Sequence, residues 1–348
     1  MHGYIVSLYR MPPKVTVFMA AYNAENYINE SIESILSQTF EDFELLIVND
    51  GSTDRTVEVI NQFTDPRIRL IHNAKNEGLV YTRNVALKEA RGEYIAVLDS
   101  DDLAVPDRLE RQYSFFLQHP EVALCGGHGT VINQLGEPLA DNRLIVPIGN
   151  DTIKMTMLFL NTYVNSSVMY KTDILRALGG YNDFAPAEDY ELFIRIADKY
   201  PVANIDSVLV KYRDHENNTS SKQADISKTK VYDIKKIQLQ NLNIPIEKRL
   251  TDTFYSILIW DFSYAFSDYL NLFKKLKTAN RSLKKYPETE FEKVLFNYWF
   301  HLIYTKKAKM NALCLLFNKH LFSWSFVTWR QFRKALKLSI KGIGVLSK

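Results

Sequence analysis

Apolar and polar positions alternate in blocks along residues 14–126. Residues 15–19, 45–48, 68–71, 94–98 and 122–124 are short apolar runs without internal turn residues, the pattern of strands buried on both faces. Between them lie stretches of helical period. The first is 30–36, with Ile28, Ile32, Ile35 and Leu36 on one side, followed by 56–63, 79–90 and 106–117. Strand–helix alternation at this spacing predicts a parallel sheet with helices on both faces. In such sheets ligands bind beyond the carboxyl ends of the strands. Three polar clusters fall at such ends: Ala21-Tyr22-Asn23, Asn49-Asp50-Gly51-Ser52 and Asp99-Ser100-Asp101-Asp102.

The pattern continues through 127–225. A strand-like run at 167–170 leads to the turn Gly179-Gly180-Tyr181, and Ala187-Glu188-Asp189-Tyr190 then opens a helix through Ile196. A second strand-like run, 208–212, precedes Arg213 and His215. From about 226 onward glycine and proline are scarce and aromatic-rich helical patterns run to the end. The polar stretch 216–228 therefore reads as a boundary. The expected organisation is an N-terminal extension (1–13), an α/β domain (14–225) and a helical, basic C-terminal region (226–348). Met11, just before Pro12-Pro13-Lys14, reads as a candidate start, with 1–10 as an upstream extension.

Composition changes this picture in three places. Cys125 and Cys314 are the only cysteines and lack metal-ligand spacing, which argues against a disulfide framework or zinc and fits a reducing cytosol. No apolar run reaches the ~18 residues of a membrane span, and the first residues lack the apolar core of a signal peptide. The net charge of +3 conceals an asymmetry: residues 1–292 hold 32 basic and 40 acidic residues, whereas 293–348 hold 11 basic and none acidic. Such a split points to a polyanionic partner for the tail.

Three carboxylates crowded at the end of a buried strand repel one another. A divalent cation accounts for them, since hard oxygen ligands suit Mg²⁺ or Mn²⁺, and substrate phosphates complete the shell. The alternative is an acidic turn opening the helix near Pro106. Glu188-Asp189 admits the same two readings, a general base or plain helix N-terminal charge. His215 is a third metal or phosphate contact or a loop histidine, and on a strand it would face the same side as Arg213.

Taken together, Val15-Thr-Val-Phe-Met-Ala-Ala-Tyr-Asn23, Ser34-Ile-Leu-Ser-Gln38, Val48-Asn-Asp-Gly-Ser-Thr-Asp54, Arg83-Asn84, Gly92-Glu93-Tyr94, Leu98-Asp-Ser-Asp-Asp102 and Pro106-Asp-Arg-Leu109 resemble glycosyltransferase family 2 over about residues 14–215. The resemblance implies a GT-A fold, that is, a Rossmann-like, mostly parallel sheet with flanking helices, here followed by a helical C-terminal region. It also implies a nucleotide-sugar donor, Mg²⁺ or Mn²⁺, and inversion at the anomeric carbon. It assigns Tyr22 and Asp50 to the nucleobase with Arg83 close by, and adds Ala21, Asn23, Asp99 and Ser100 to the donor site. Asp101 would ligate the metal with Asp99 beside it, His215 is a weaker third candidate, and Asp189 would be the general base. Glu188, Asp102 and Arg213 are supporting candidates on the acceptor side or beside the metal. Processive members carry a Gln-x-x-Arg-Trp sequence and membrane spans. Here Trp329-Arg330 runs in the opposite order, which implies one sugar per encounter.

The expected function is transfer of one sugar from a UDP-sugar to a hydroxyl of a glycan acceptor, lipid-linked, in bacterial surface polysaccharide assembly. Two alternatives stand beside it: a soluble or protein acceptor, and an inactive GT-A scaffold. In the tail, residues 326–343 written as one helix put Phe326, Trp329, Phe332, Leu336, Ile340 and Ile343 on one side. Arg330, Lys334, Lys337 and Lys341 fall on another. That pattern suits an anionic membrane surface and places the protein in the cytoplasm, peripheral on the inner face of the membrane. A packed subdomain with a basic exposed face is the alternative. Nucleic acid is not expected, because no binding motif accompanies the charge.

Overall fold

The computed structural model describes residues 12–216, 218, 224–306 and 311–343. All but Pro12 and Pro13 of the expected N-terminal extension lies outside the described residues. The chain divides into two compact units, one taking residues up to 153 with 162–227, the other 154–161 with 228 onward.

The first unit is built on a sheet of order β3-β2-β1-β4-β8-β6-β9-β5, with β7 (Pro138–Leu144) on β6. Strands β1 (Val15–Ala21), β2 (Phe43–Asn49), β3 (Ile68–His72) and β4 (Tyr94–Val97) are parallel. Every residue of β2 and β4 is buried, as near-continuous apolar runs in a two-faced parallel sheet require. Helices α1 (Ile28–Leu36), α3 (Leu79–Glu89) and α4 (Arg108–Gln118) connect and cover them. The core side of α1 is the predicted one, with Ile28, Ile32 and Ile35 fully buried.

The register decides where the polar clusters go. Ala21 pairs with Asn49 and Phe18 with Val97, so the residues after β1, β2 and β4 leave the sheet at one edge. The other half of the sheet is mixed. β8 (Met169–Lys171) runs antiparallel to β4 and to β6 (Leu124–Ile132), and β6 runs parallel to β9 (Val202–Arg213). The two-residue β5 (Leu103–Ala104) pairs with Lys211 and Val210. The acidic segment 99–102 therefore spans from the end of β4 to the end of β9.

The second unit is helical, and residues 154–161 belong to its core. Met155, Leu158 and Phe159 pack there. The buried Lys235 donates to Leu158 O at 2.6 Å and Gln238 to Met157 O at 2.9 Å. No helix among the described residues is long and apolar enough to cross a membrane. The aromatics of the acid-free tail divide between core and surface. Trp299 is fully buried among Phe266, Phe273 and their neighbours, with its indole N–H on Leu315 O at 2.7 Å. The tail is thus a large part of this unit's core and not a separable appendage.

The last helix runs Trp329–Ile343, and the expected apolar side divides between core and surface. Phe326 and Phe332 pack on the core, as do the small residues Ala335 and Ser339. Trp329, Leu336 and Ile340 point out. The side chains of Lys341 and Ile343 lie outside the described residues.

Because Trp299 fills the centre of this unit, Trp299→Ala should cost about 3–5 kcal/mol. Urea or thermal unfolding of the full chain measures the loss, and a change under about 1 kcal/mol would contradict the packing described.

Candidate active site

The loops after β1 and β2 are stitched together. Asn23 sits in the left-handed region (φ 49°), where its side-chain oxygen accepts the Thr53 N–H at 2.9 Å and its own N–H reaches Ser52 Oγ at 3.0 Å. Ala24 N–H donates to Thr56 Oγ1 and Glu25 N–H to Asp54. Ala21 accepts the Asp50 N–H at 2.8 Å. These bonds leave the Tyr22 ring 48% exposed at the sheet edge.

Asp50 is buried, and both its oxygens are engaged. Oδ1 accepts from Asn73 Nδ2 (2.7 Å) and the Glu77 N–H (3.0 Å), and Oδ2 from the Gly78 N–H (2.9 Å). Gly51 follows with φ 69°, and a Cβ there would lie 2.5 Å from the backbone of Lys75. Asp50 thus ties the β2 loop to the segment that starts α3. Asn73 completes the link by donating to Thr82 Oγ1.

Arg83, next on α3, turns away from Asp50 and is buried. Its guanidinium lies 3.4 Å from Glu188, 3.9 Å from Asp99 and 3.3 Å from the Asn165 side-chain oxygen, over the ring of Tyr181. Burial disfavours its charge, but Glu188, Tyr181, Asp99 and Asp189 outweigh it and hold the guanidinium above its ordinary range. Arg83 is thus a cation shared by the acidic segment and the start of the helix Glu188–Lys199.

The four residues 99–102 have distinct surroundings. Asp99 accepts from Asn165 Nδ2 (3.0 Å) and Ser166 Oγ (2.9 Å). Asp101 meets His215 Nε2 at 2.9 Å. Both carboxylates stay about a third exposed, at 36% and 30%. Ser100 sits half-buried between them. Asp102 is fully buried, accepts the Arg213 N–H at 2.8 Å and hydrogen-bonds Ser166. Burial, then the charges of Asp101 and Asp99, raise it well above the usual carboxylate range.

Arg213 and His215 do face one side, although β9 ends at Arg213. Both side chains pack on Tyr27: the Arg213 guanidinium at 4.9 Å and the His215 ring at 4.7 Å from the centre of its ring. Arg213 also donates to Asp101 O (2.8 Å) and Glu30 (2.7 Å).

Glu188 is buried, and its Oε2 has no hydrogen-bond partner among the described residues. Asp189, half-buried, accepts the Tyr190 N–H at 2.7 Å. Burial and the neighbouring Glu188, set against Arg83, push Asp189 up to about 6.

Asn165 and Ser166 do not figure in the sequence reading, yet they hold Asp99. They lie in a one-turn 3₁₀ segment, Asn165–Ser167, before β8. From α4, Arg108 donates to Val97 O and Val168 O, and Gln112 to Ser167 O, fixing that turn against β4. Its sequence signal was a polar triplet preceding a strand.

Among the described residues no three His, Cys, Asp or Glu side chains form a ready metal cage. The donor set still fits Mg²⁺ or Mn²⁺: the carboxylates of Asp99 and Asp101 are partly exposed and are oriented from behind by Asn165, Ser166 and His215.

Residues 16–177 match the family model described as Glycosyl transferase family 2. The O-antigen biosynthesis glycosyltransferase WbnJ of Escherichia coli is 32% identical over 60% of this chain and 83% of its own. The crystal structure of S. aureus TarS 1–349 in complex with UDP-GlcNAc shares the fold (TM-score 0.53, 20% identity, 84% of this chain and 87% of that one). So does the mannosyltransferase PcManGT from Pyrobaculum calidifontis in complex with GDP-Man and Mn²⁺ (TM-score 0.52, 16% identity, 95% and 87%). A GT-A sheet carrying these clusters at one edge, with a relative this similar over most of its length, makes the chain a member of glycosyltransferase family 2.

Proposed function

We propose that the chain is an inverting, non-processive transferase that moves one sugar from a UDP-sugar to a hydroxyl of a lipid-linked glycan in surface polysaccharide assembly. The observation that carries this reading is the meeting of Asp99, two residues before Asp101, with the Arg83–Glu188–Asp189 cluster at the carboxyl edge of β4. WbnJ supports the polysaccharide context, and the UDP-GlcNAc held by TarS supports the donor class.

In this reading Tyr22 offers its exposed face to the nucleobase, and Asp50 shapes the pocket wall through its own loop. Ala21, Asn23 and Ser100 line the donor. Asp99 and Asp101 would hold Mg²⁺ or Mn²⁺, with His215 steadying Asp101. The bound cation would offset charge gathering on the diphosphate leaving group. PcManGT, which carries Mn²⁺, supports that assignment.

Transfer is one displacement. The acceptor oxygen bonds to the anomeric carbon opposite the diphosphate, and the sugar–phosphate C–O bond breaks with its electron pair on the leaving oxygen. Asp189 takes the acceptor proton, which becomes acidic only as the new bond forms. Arg83 keeps Glu188 and Asp99 paired so that these charges do not force Asp189 fully protonated. Asp102 and Arg213 fix the loop carrying Asp101. The acid-free stretch after Glu292 supports work at the anionic inner face of a membrane, where a lipid-linked acceptor resides.

Two outcomes test the site. Asp101→Ala should abolish metal-dependent donor hydrolysis and the metal-dependent gain in melting temperature with UDP, with the apo melting temperature unchanged. Full hydrolysis by that variant in chelator would remove the metal from the account. Asp189→Asn should lower turnover ~10²-fold or more with donor affinity little changed. The sign of the pH effect follows from the raised carboxyl. Below about 6 Asp189 is protonated and cannot accept a proton, so kcat/KM should climb through that pH and level off above it. The climbing limb should vanish in Asp189→Asn, and a limb that persists in that variant would place the base elsewhere.

A further inference from the structure

Where soluble helices normally show charge, the helix Trp329–Ile343 shows apolar groups. Trp329 is 71% and Ile340 59% exposed, and Leu336 is exposed as well. At about 100° per residue these three and Arg333 fall within an arc of roughly 60°. Trp324, 73% exposed, joins the same surface through ring contacts from Trp324 to Phe317, Phe317 to Phe332 and Phe332 to Trp329. A patch of this kind on a folded surface marks an interaction site.

The charge beside it is of one sign. Arg330, Arg333 and Lys337 are exposed along one flank of the arc. None forms a salt bridge among the described residues, and no acidic residue follows Glu292. The opposite side of the helix is committed to the core through Ala335 and Ser339. The helix therefore has an inner packed face, an outer apolar face and a cationic flank.

We infer that this outer face is the surface by which the protein lies on an anionic lipid bilayer, with Trp324, Trp329, Leu336 and Ile340 in the headgroup zone and Arg330, Arg333 and Lys337 on lipid phosphates. The inference rests on the membrane-side reading above and gives it an address. Charge complementarity selects the occupant. A second copy of the chain would bring like cations together across a self-complementary contact, which is costly. Nucleic acid would satisfy the cations and leave Leu336 and Ile340 against a polar backbone. An anionic bilayer satisfies both: its phosphates attract each cation near the surface and its interface buries the apolar side chains, with Trp at the headgroup level.

The test uses the full chain and vesicles of phosphatidylcholine with or without phosphatidylglycerol, read by co-flotation at low salt. Wild type should float with the anionic vesicles only, and added salt should release it. Combined Trp329→Ser, Leu336→Ser and Ile340→Ser should weaken binding at least about tenfold, since the apolar burial of three side chains is lost. Combined Arg330→Gln, Arg333→Gln and Lys337→Gln should do the same. All six positions are exposed, so melting temperature and donor hydrolysis should match wild type in both variants. Wild type that ignores anionic vesicles overturns the inference. Serine variants that float as well as wild type overturn this address, and serine variants that only convert a dimer to monomer assign the face to a second copy. Flotation without donor hydrolysis would leave the lipid surface standing and remove the transferase reading.

Discussion

Electrostatic crowding at the carboxyl end of β4 is the constraint on which the rest of the first unit depends. Burial with the charges of Asp101 and Asp99 raises the proton affinity of Asp102, and burial with the charges of Glu188 and Asp99 raises that of Asp189. A fold does not gather five carboxyl groups without compensation. Arg83 supplies one buried cation between Asp99 and Glu188. Arg213 supplies backbone and side-chain donors to Asp102 and Asp101. Asn165 and Ser166 donate to Asp99. Asp99 and Asp101 stay partly exposed, and on the proposed reading a divalent cation with a diphosphate completes their surroundings.

The sheet makes this arrangement possible. Three parallel strands in register deliver three polar clusters to one edge, and β5 carries the acidic segment across to β9. α4 then reaches beneath the site, where Arg108 and Gln112 bind the carbonyls that position the Asn165–Ser167 turn. Packing and electrostatics are coupled here, because the same helix that fills the core with Leu109 and Phe116 also orients the residues that hold Asp99.

How much was legible in the sequence follows from the range of each interaction. The parallel strands are written in local apolar runs, and their polar ends follow from chain order. Asn165 and Ser166 were not legible as site residues, since they meet Asp99 from 66 and 67 positions away. The position of Arg83 depends on which way α3 turns it, and a single helical residue carries no such information. In the second unit, the aromatic-rich composition of the tail does not say which rings are buried. Trp299 fills the core, because Phe266 and Phe273 lie against it. In the last helix the expected apolar side is divided, because small Ala335 and Ser339 allow close approach to the core and leave the larger Leu336 and Ile340 outside.

The central claim is that Asp99 and Asp101 form, with a divalent cation, the seat of a nucleoside diphosphate. Calorimetric titration of UDP into the wild-type chain, with Mn²⁺ and then with chelator, tests it most directly. The account predicts saturable binding with one UDP per chain in Mn²⁺ and a loss of most of the affinity in chelator. Equal affinity in both conditions would contradict it.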